Sequence, residues 1–315
     1  MGAAFKENMK VLVITGDNSF RPGHTRFNIQ ASQVGLTAMY WRRGSLWPKI
    51  PPGHFDVVTV QDPFWRGLFG SYVAWRTGAK FNVQVHTDLS AQNLFRHLLA
   101  QVVLRHADSV RVVSEKIREQ VLSAGVRAPV FVLPIYVDIE KFKSVKPQSH
   151  SQKTILWVGR FEPEKDPLLA LEVLHNVRRK ISDCKLVMLG TGSMAQQLKT
   201  ALARFHLASA VEMPGWQDPT SYYAIADVVL CTSKHESYGA SIIEALVAGI
   251  PVVAPDVGIA REAGAIIAPR ERLAEAVAEV LRSGKRGELK LTLPSAEEWA
   301  HRWRQTLEHG TVNTP

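Results

Sequence analysis

Short apolar runs recur along the whole chain, separated by stretches whose apolar residues return every three or four positions. The runs VLVIT (11–15), VGLTAMYW (34–41), DVVTV (56–60), FNVQVH (81–86), SVRVVS (109–114) and VFVLP (130–134) predict strands. Residues 64–76, 90–106 and 114–124 read as helices between them. The pattern then restarts. Strands are expected at TILWVG (154–159), KLVMLG (185–190), AVEMPG (210–215), VVLCTS (228–233) and PVVAP (251–255), with helices at 166–181, 193–205, 218–226, 239–249 and 270–283. Continuous Val/Ile/Leu runs separated by helices indicate parallel strands buried on both faces, hence an α/β fold.

Between the two series lies KFKSVKPQSHSQK (141–153), polar and without a periodic apolar pattern. It reads as a linker between an N-terminal domain, 1–146, and a C-terminal domain, 147–295. A weak repeat relates them: Ala107-Asp108 precedes a strand ending at Ser114, and Ala226-Asp227, at the same spacing, precedes one ending at Ser233. The segment PSAEEWAHRWRQTLEHG predicts a final helix, about 296–310, capped by Ser295 with Glu298 at its third position and expected to pack back on the first domain.

Composition narrows the class. The chain has 315 residues, comfortable for two cores, and no apolar run long enough to span a bilayer. The start, MGAAFKENMKVLVITG, reads as a first strand rather than a secretion signal. Cys184 and Cys231 form no disulfide framework or metal cluster, so a reducing cytoplasm is the expected compartment. Residues 1–150 hold 19 Lys and Arg against 10 Asp and Glu, whereas the remainder balances, so the net charge of +9 belongs to the first half. A one-sided basic field attracts phosphate groups, including those of anionic lipid. Trp41-Arg42-Arg43, Trp47-Pro48-Lys49 and Phe64-Trp65-Arg66 place aromatics beside cations, which suits a membrane interface or stacking on sugar rings, against the plainer reading of core Trp and surface Arg.

Candidate chemistry sits where strands give way to helices, since open parallel sheets bind ligands beyond the C-terminal ends of their strands. In His235-Glu236-Ser237-Tyr238-Gly239-Ala240-Ser241-Ile242-Ile243-Glu244, Gly239 permits close backbone approach and the helix start offers N–H groups to a phosphate. Glu244 could grip a vicinal diol such as a ribose, or close a capping box with Ser241; Glu236 is either a ligand contact or a solvated charge. Arg160 and Lys165 could converge on a diphosphate, or pair with Glu162 and Glu164 on the surface. Gly190-Thr191-Gly192 is either a phosphate-side loop or a plain turn.

Taken together, Gly159-Arg160 with Lys165, Gly190-Thr191-Gly192, Gly215, Ala226-Asp227, the Glu236-x7-Glu244 pair, Gly249-Ile250-Pro251-Val252-Val253, and Gly258 with Glu262 resemble, in order and spacing, the retaining glycosyltransferases of family 4. Upstream, Ala107-Asp108 to Ser114 and Leu133-Pro134-Ile135-Tyr136-Val137-Asp138 with Phe142 are similar to the end of that family's first domain, Asp62-Pro63 and Val85-His86 fall where the family often has similar residues, and Arg21-Pro22-Gly23-His24 has one glycine where the family often has two. The resemblance implies a GT-B fold, two Rossmann-like doubly wound domains facing across a cleft, and transfer of a sugar from a nucleoside diphosphate to an acceptor hydroxyl with retention. It implies that Arg160 and Lys165 neutralise the donor diphosphate, Glu244 binds the ribose, Glu236 contacts the transferred sugar, and Tyr238, Gly239 and Ala240 offer backbone groups. Gly190, Gly192 and Gly23 would line the donor site, and His86 would face the donor sugar. No Asp-x-Asp occurs, so the usual metal-binding signature is absent and no metal is expected, which fits Arg160 and Lys165 in place of a divalent cation. The nucleotide sugar is expected as a substrate, with no cofactor. The expected partners are a nucleotide sugar, a glycan or lipid-linked acceptor and an anionic membrane touched by the basic half, on its inner face, but no nucleic acid. The alternatives keep the fold: a sugar-nucleotide epimerase, a pyridoxal-phosphate phosphorylase, or an inactive regulatory protein that still binds the nucleotide. A nicotinamide oxidoreductase would need Gly-x-Gly-x-x-Gly after the first strand, where the chain reads TGDNSF.

Overall fold

Each apolar run forms a strand, and all the strands pair in parallel. The computed structural model describes residues 8–16, 20–41, 48–90, 92–148 and 150–308. Arg42, Arg43 and Trp47, singled out above, lie outside the described residues. The chain divides into two compact units, Met1–Tyr136 with Leu293–Pro315, and Val137–Thr292.

The first unit runs β1 (Lys10–Thr15), α1 (Thr25–Ala31), β2 (Gly35–Tyr40), β3 (Val57–Val60), α2 (Trp65–Thr77), β4 (Lys80–Val85), α3 (Leu94–Arg105), β5 (Ser109–Val112), α4 (Glu115–Ser123) and β6 (Val130–Val132). Its strand order is β2-β1-β3-β4-β5-β6, so the winding direction reverses between β1 and β3. The second unit runs α5 (Glu140–Lys143), β7 (Lys153–Val158), α6 (Pro167–Arg178), β8 (Cys184–Leu189), α7 (Ala195–Arg204), β9 (Val211–Gly215), α8 (Thr220–Tyr223), β10 (Val228–Leu230), α9 (Ala240–Val247), β11 (Val252–Ala254), α10 (Ala260–Ala263), β12 (Ile266–Ile267) and α11 (Leu273–Ser283). Here the order is β12-β11-β10-β7-β8-β9, with the reversal between β7 and β10. The last helix, α12 (Ala296–Glu308), returns to the first unit. Its capping box forms as read: Glu298 N donates to Ser295 Oγ at 3.2 Å and Ser295 N to Glu298 Oε2 at 2.9 Å.

The repeat has a physical basis. Asp108 exchanges two hydrogen bonds with the main chain of Phe81, accepting from its N–H through Oδ2 at 2.8 Å and donating to its carbonyl at 2.8 Å. Asp227 does the same to Thr154, at 2.8 and 2.9 Å. Asp56, before β3, treats Lys10 identically. Each aspartate thus fixes the register of a strand against its neighbour by satisfying a main-chain donor at the sheet's N-terminal edge.

Two expectations are corrected. The segment read as a linker contains α5, whose Phe142 is buried with its ring edge-on to Tyr223 at 5.6 Å, and Gln148 N donates to Ala224 O at 2.7 Å. Phe142 and Val145 pack this stretch onto the second unit's core, and that unit begins at Val137 rather than at 147. In addition, α1 has no counterpart among the predicted helices; it is two turns long and buries only Phe27 and Gln30.

Beneath α12 the first sheet shows a divided face. Trp299, Trp303 and Leu307 pack on Met9, Val11, Val13 and Val57. On β3 to β5 the same face is polar. Thr59 Oγ1 donates to Asn82 Oδ1 at 2.6 Å, Gln84 Nε2 to Thr59 Oγ1 at 2.9 Å, and Asn82 Nδ2 to Ser109 Oγ at 2.9 Å and to the Thr306 carbonyl of α12 at 3.3 Å. Arg111, fully buried, donates to Gln84 Oε1 at 2.6 Å, Leu133 O at 3.0 Å and Pro134 O at 2.7 Å, with its guanidinium over the Trp299 ring.

Candidate functional site

The reversal between β7 and β10 opens a crevice at the C-terminal ends of those strands, which is where a doubly wound sheet can receive a ligand. A pocket lies there, lined by Trp157, Val158, Cys231, Ser233, Glu236 and Ser241 among others. Its lining comes from β7, β10, the loop after β10 and the start of α9, and the loops after β7, β8 and β10 stand at the same edge of the sheet.

The first two loops are held together by their glycines. Gly159 N donates to Leu189 O at 3.0 Å, Phe161 N to Thr191 O at 2.8 Å, and Met194 N to Phe161 O at 2.9 Å. A Cβ on Gly190 would stand 1.8 Å from Gly159 O, and one on Gly192 2.5 Å from Phe161 O. The Gly-x-Gly is therefore required for close approach of two main chains. Glu162 adds a tie, accepting from Ser193 N at 3.0 Å and Ser193 Oγ at 2.6 Å, which lowers its pKa.

Lys165 and Glu236 come together as an ion pair, and Ser233 Oγ donates to the same carboxylate oxygen at 2.8 Å. The Glu236 side chain is only 11% exposed, so it is not a solvated loop charge. Arg160 is not brought to this pair: its side chain is 70% exposed and bound to Glu164 Oε1 at 2.7 Å. The surface-pairing alternative thus holds for Arg160 and fails for Lys165.

The carbonyls flanking Lys165 are anchored by residues the sequence reading missed. Thr232 Oγ1 lies 2.9 Å from both Lys165 O and Asp166 O, and accepts from Trp157 Nε1 at 2.9 Å. Arg270 donates to Thr232 O at 2.6 Å and pairs with the Asp166 carboxylate. Asp166 itself is left-handed, φ 47° and ψ 60°, a conformation costing a non-glycine residue about 1–2 kcal/mol. The Arg270 fork and the Thr232 hydroxyl offset that cost and so fix the backbone that carries Lys165.

The third loop enters α9 through Gly239, φ 108°. Tyr238 is buried, and its carbonyl accepts from Ile259 N at 3.0 Å; a Cβ on Gly258 would stand 2.3 Å from that oxygen. Because Gly239 is the cap residue and Ser241 already lies inside the helix, the capping-box alternative for Glu244 is excluded. Glu244 instead accepts from the hydroxyl of buried Tyr223 at 3.2 Å. Burial pushes its carboxyl up to about 7, against the Tyr223 hydrogen bond and the charge of Lys141. Ala240 opens α9 and is half-buried.

His86 and Gly23 belong to the first unit. His86 follows β4, and burial, with Arg111 and then Arg26 nearby, drives its pKa down to about 3, so the ring is neutral at ordinary pH. Gly23, φ 91°, lies in the exposed turn before α1, its N–H donating to Asn28 Oδ1 at 3.2 Å.

Residues 138–295, half of the chain, match the family Glycosyl transferases group 1, and residues 6–141 match Glycosyltransferase Family 4. The chain belongs to the group 1 glycosyl transferases. Relatives of this group 1 member include the alpha-monoglucosyldiacylglycerol synthase of Streptococcus pneumoniae, 24% identical over 63% of this chain and 51% of that protein. Another is the GDP-mannose:cellobiosyl-diphosphopolyprenol alpha-mannosyltransferase of Xanthomonas campestris, 26% identical over 83% of this chain and 72% of that one. The chain spans about half or less of the length of several curated relatives it matches. Among solved structures, Anabaena HepE in complex with UDP and glucose superimposes with a TM-score of 0.70 at 15% identity, over 96% of this chain and 95% of that one. The outer core galactosyltransferase WaaB gives 0.63 at 16%, over 96% and 99%. The likeness establishes the GT-B fold, two parallel six-stranded sheets each wound with helices.

Proposed function

We propose that this group 1 member transfers a sugar from a nucleoside diphosphate to an acceptor hydroxyl, with retention at the anomeric carbon. The observation that carries this reading is the arrangement in the second unit: a fixed ammonium, Lys165, held to Glu236 beside a pocket at the winding reversal, and a largely enclosed carboxyl, Glu244, on the helix that follows. The names of relatives and neighbours, which specify glucosyl and mannosyl transfer and complexes with UDP, support it.

In this reading Glu244 accepts hydrogen bonds from both ribose hydroxyls and Lys165 meets the diphosphate. Arg160, exposed and paired only at the surface with Glu164, turns from it to add a second positive charge as the bond to the sugar breaks. Cations placed in advance where charge develops lower the barrier without reorganisation. Glu236, no longer shared with Lys165 alone, holds the transferred sugar, and backbone N–H groups of Gly239 and Ala240 meet its hydroxyls or the phosphate. The leaving phosphate takes the proton of the acceptor, so no protein nucleophile is needed. Two cations serve where other enzymes use a divalent metal, and no cofactor takes part. The acceptor is a glycan or a lipid-linked one, the place of action the cytoplasmic side of a membrane, reached through the basic first half of the chain.

Calorimetric titration with UDP, GDP and ADP, wild type beside Glu244→Ala, tests the reading. One nucleotide should bind, and the variant should bind it at least about tenfold more weakly, the effect of losing a charged hydrogen-bond acceptor. No heat with any of the three at millimolar concentration sinks the proposal.

A further inference from the structure

The helices α2 and α3 bury their inner faces by close approach. A Cβ on Gly67 would meet Val103 at 2.6 Å, and one on Gly70 would meet Val60 at 2.3 Å, so α2 lies directly against the sheet and α3. Their outer faces are the unusual part of the molecule. On α2, Trp65, Tyr72 and Trp75 are exposed at positions that fall on one side of a helix, Trp75 to 77%. On α3, Leu94, Leu98 and Val102 repeat every four residues with Phe95 beside them, Leu94 exposed to 74%. The rings of Trp65 and Phe95 lie 5.9 Å apart, so the two stripes form one patch. Seven of the eleven large apolar side chains exposed among the described residues are in it.

Neither helix carries an Asp or Glu. Arg76 near the end of α2 and Arg105 at the end of α3 are exposed, whereas Arg66 is largely covered and pairs with Asp62, just before α2, at 2.6 Å. A contiguous apolar patch on a soluble surface marks an interaction site. Two copies stacked on this face about a twofold axis would set arginines against arginines with no acid between them. An anionic lipid surface satisfies both halves of the pattern, taking the aromatic rings into the headgroup boundary and the arginines against phosphate. We infer that the outer face of α2 and α3 is a membrane-docking surface for anionic bilayers. The inference gives the membrane contact of the proposed function a location, and it rests on that reading for its purpose though not for its test.

The test is flotation of the full chain with vesicles of phosphatidylcholine alone or with an equimolar share of phosphatidylglycerol. The wild type should float with the anionic vesicles at low salt. Trp75→Ser with Leu94→Ser should weaken binding about tenfold or more, and Arg76→Gln with Arg105→Gln about fivefold per arginine on anionic vesicles only. Both variants should keep the nucleotide titration of the wild type, which separates loss of the surface from loss of the fold. Wild-type chain that stays unbound overturns the inference, as does a pair of variants that float undiminished. A dimer in sedimentation that Trp75→Ser dissolves, without vesicle binding, assigns the face to a second copy instead. A chain that floats but binds no nucleotide leaves this surface standing and removes the transferase reading.

Discussion

The two units share parallel pairing and the same reversal of winding, yet they put their buried polar side chains in opposite places. In the first, Thr59, Asn82, Gln84, Ser109 and Arg111 cross the middle of the sheet. In the second, the buried strand residues, such as Ile155, Leu156, Leu186 and Val228, are apolar apart from Thr154 near the start of β7, and further polar groups collect at the C-terminal edge around Thr232, Ser233 and Asp166. A polar face within a sheet must be covered by something that hydrogen-bonds to it, or each group costs free energy on burial. The first unit meets this with α12. The second needs no such cover, and its polar groups are left to shape a pocket.

The strongest way to break this comparison is Arg111→Met. It removes the donor to two buried oxygens, of Leu133 and Gln84, and to the part-buried Pro134 carbonyl while roughly keeping the volume, and should destabilise the first unit by about 3–5 kcal/mol in urea unfolding. A loss below about 1 kcal/mol would mean the face relaxes without its arginine. Next in size is Lys165→Ala, which acts on the second unit's polar edge. It should lower kcat/KM about 10²–10³-fold once donor and acceptor are identified, with the urea transition of the first unit unchanged. A change within about threefold removes Lys165 from the chemistry.

The smallest effect sharpens the role of Glu244. Its pKa is raised, to about 7, so the folded chain holds this proton more tightly than the unfolded one. The stability so contributed is present at acid pH and is lost as pH rises through about 7. Nucleotide binding has the opposite sign, because the ribose needs the ionised form. Affinity should fall about tenfold per unit below pH 7, and Glu244→Gln should bind weakly with a flat profile in the same titration.

What the sequence disclosed follows from how local each signal is. Strands buried on both faces leave continuous apolar runs, so the strands could be read directly. Lys165, Glu236 and Gly239 stand in loops that follow such runs, and Glu244 on the helix entered from one of them, so their placement at the strand ends could be read from position. The Thr232–Asp166 and Arg270–Asp166 contacts join residues 66 and 104 positions apart, and nothing in either segment announces the other. Nothing in the predicted helix 218–226 sets Tyr223 apart, yet its hydroxyl donates to Glu244 twenty-one positions on. Phe64-Trp65 shows the limit in miniature: adjacent aromatics, one in the core and one in solvent, are told apart only when the helix start is fixed to the residue.

The return of α12 to the first unit also sets an order of assembly. The second unit is a continuous stretch and can fold as soon as it leaves the ribosome. The first cannot be finished then, although its strands emerge earlier, because the helix that covers Met9, Asn82 and Arg111 is synthesised after everything else described. During translation a half-covered parallel sheet waits with its apolar and polar groups open to other chains, the circumstance in which nascent proteins most need a chaperone.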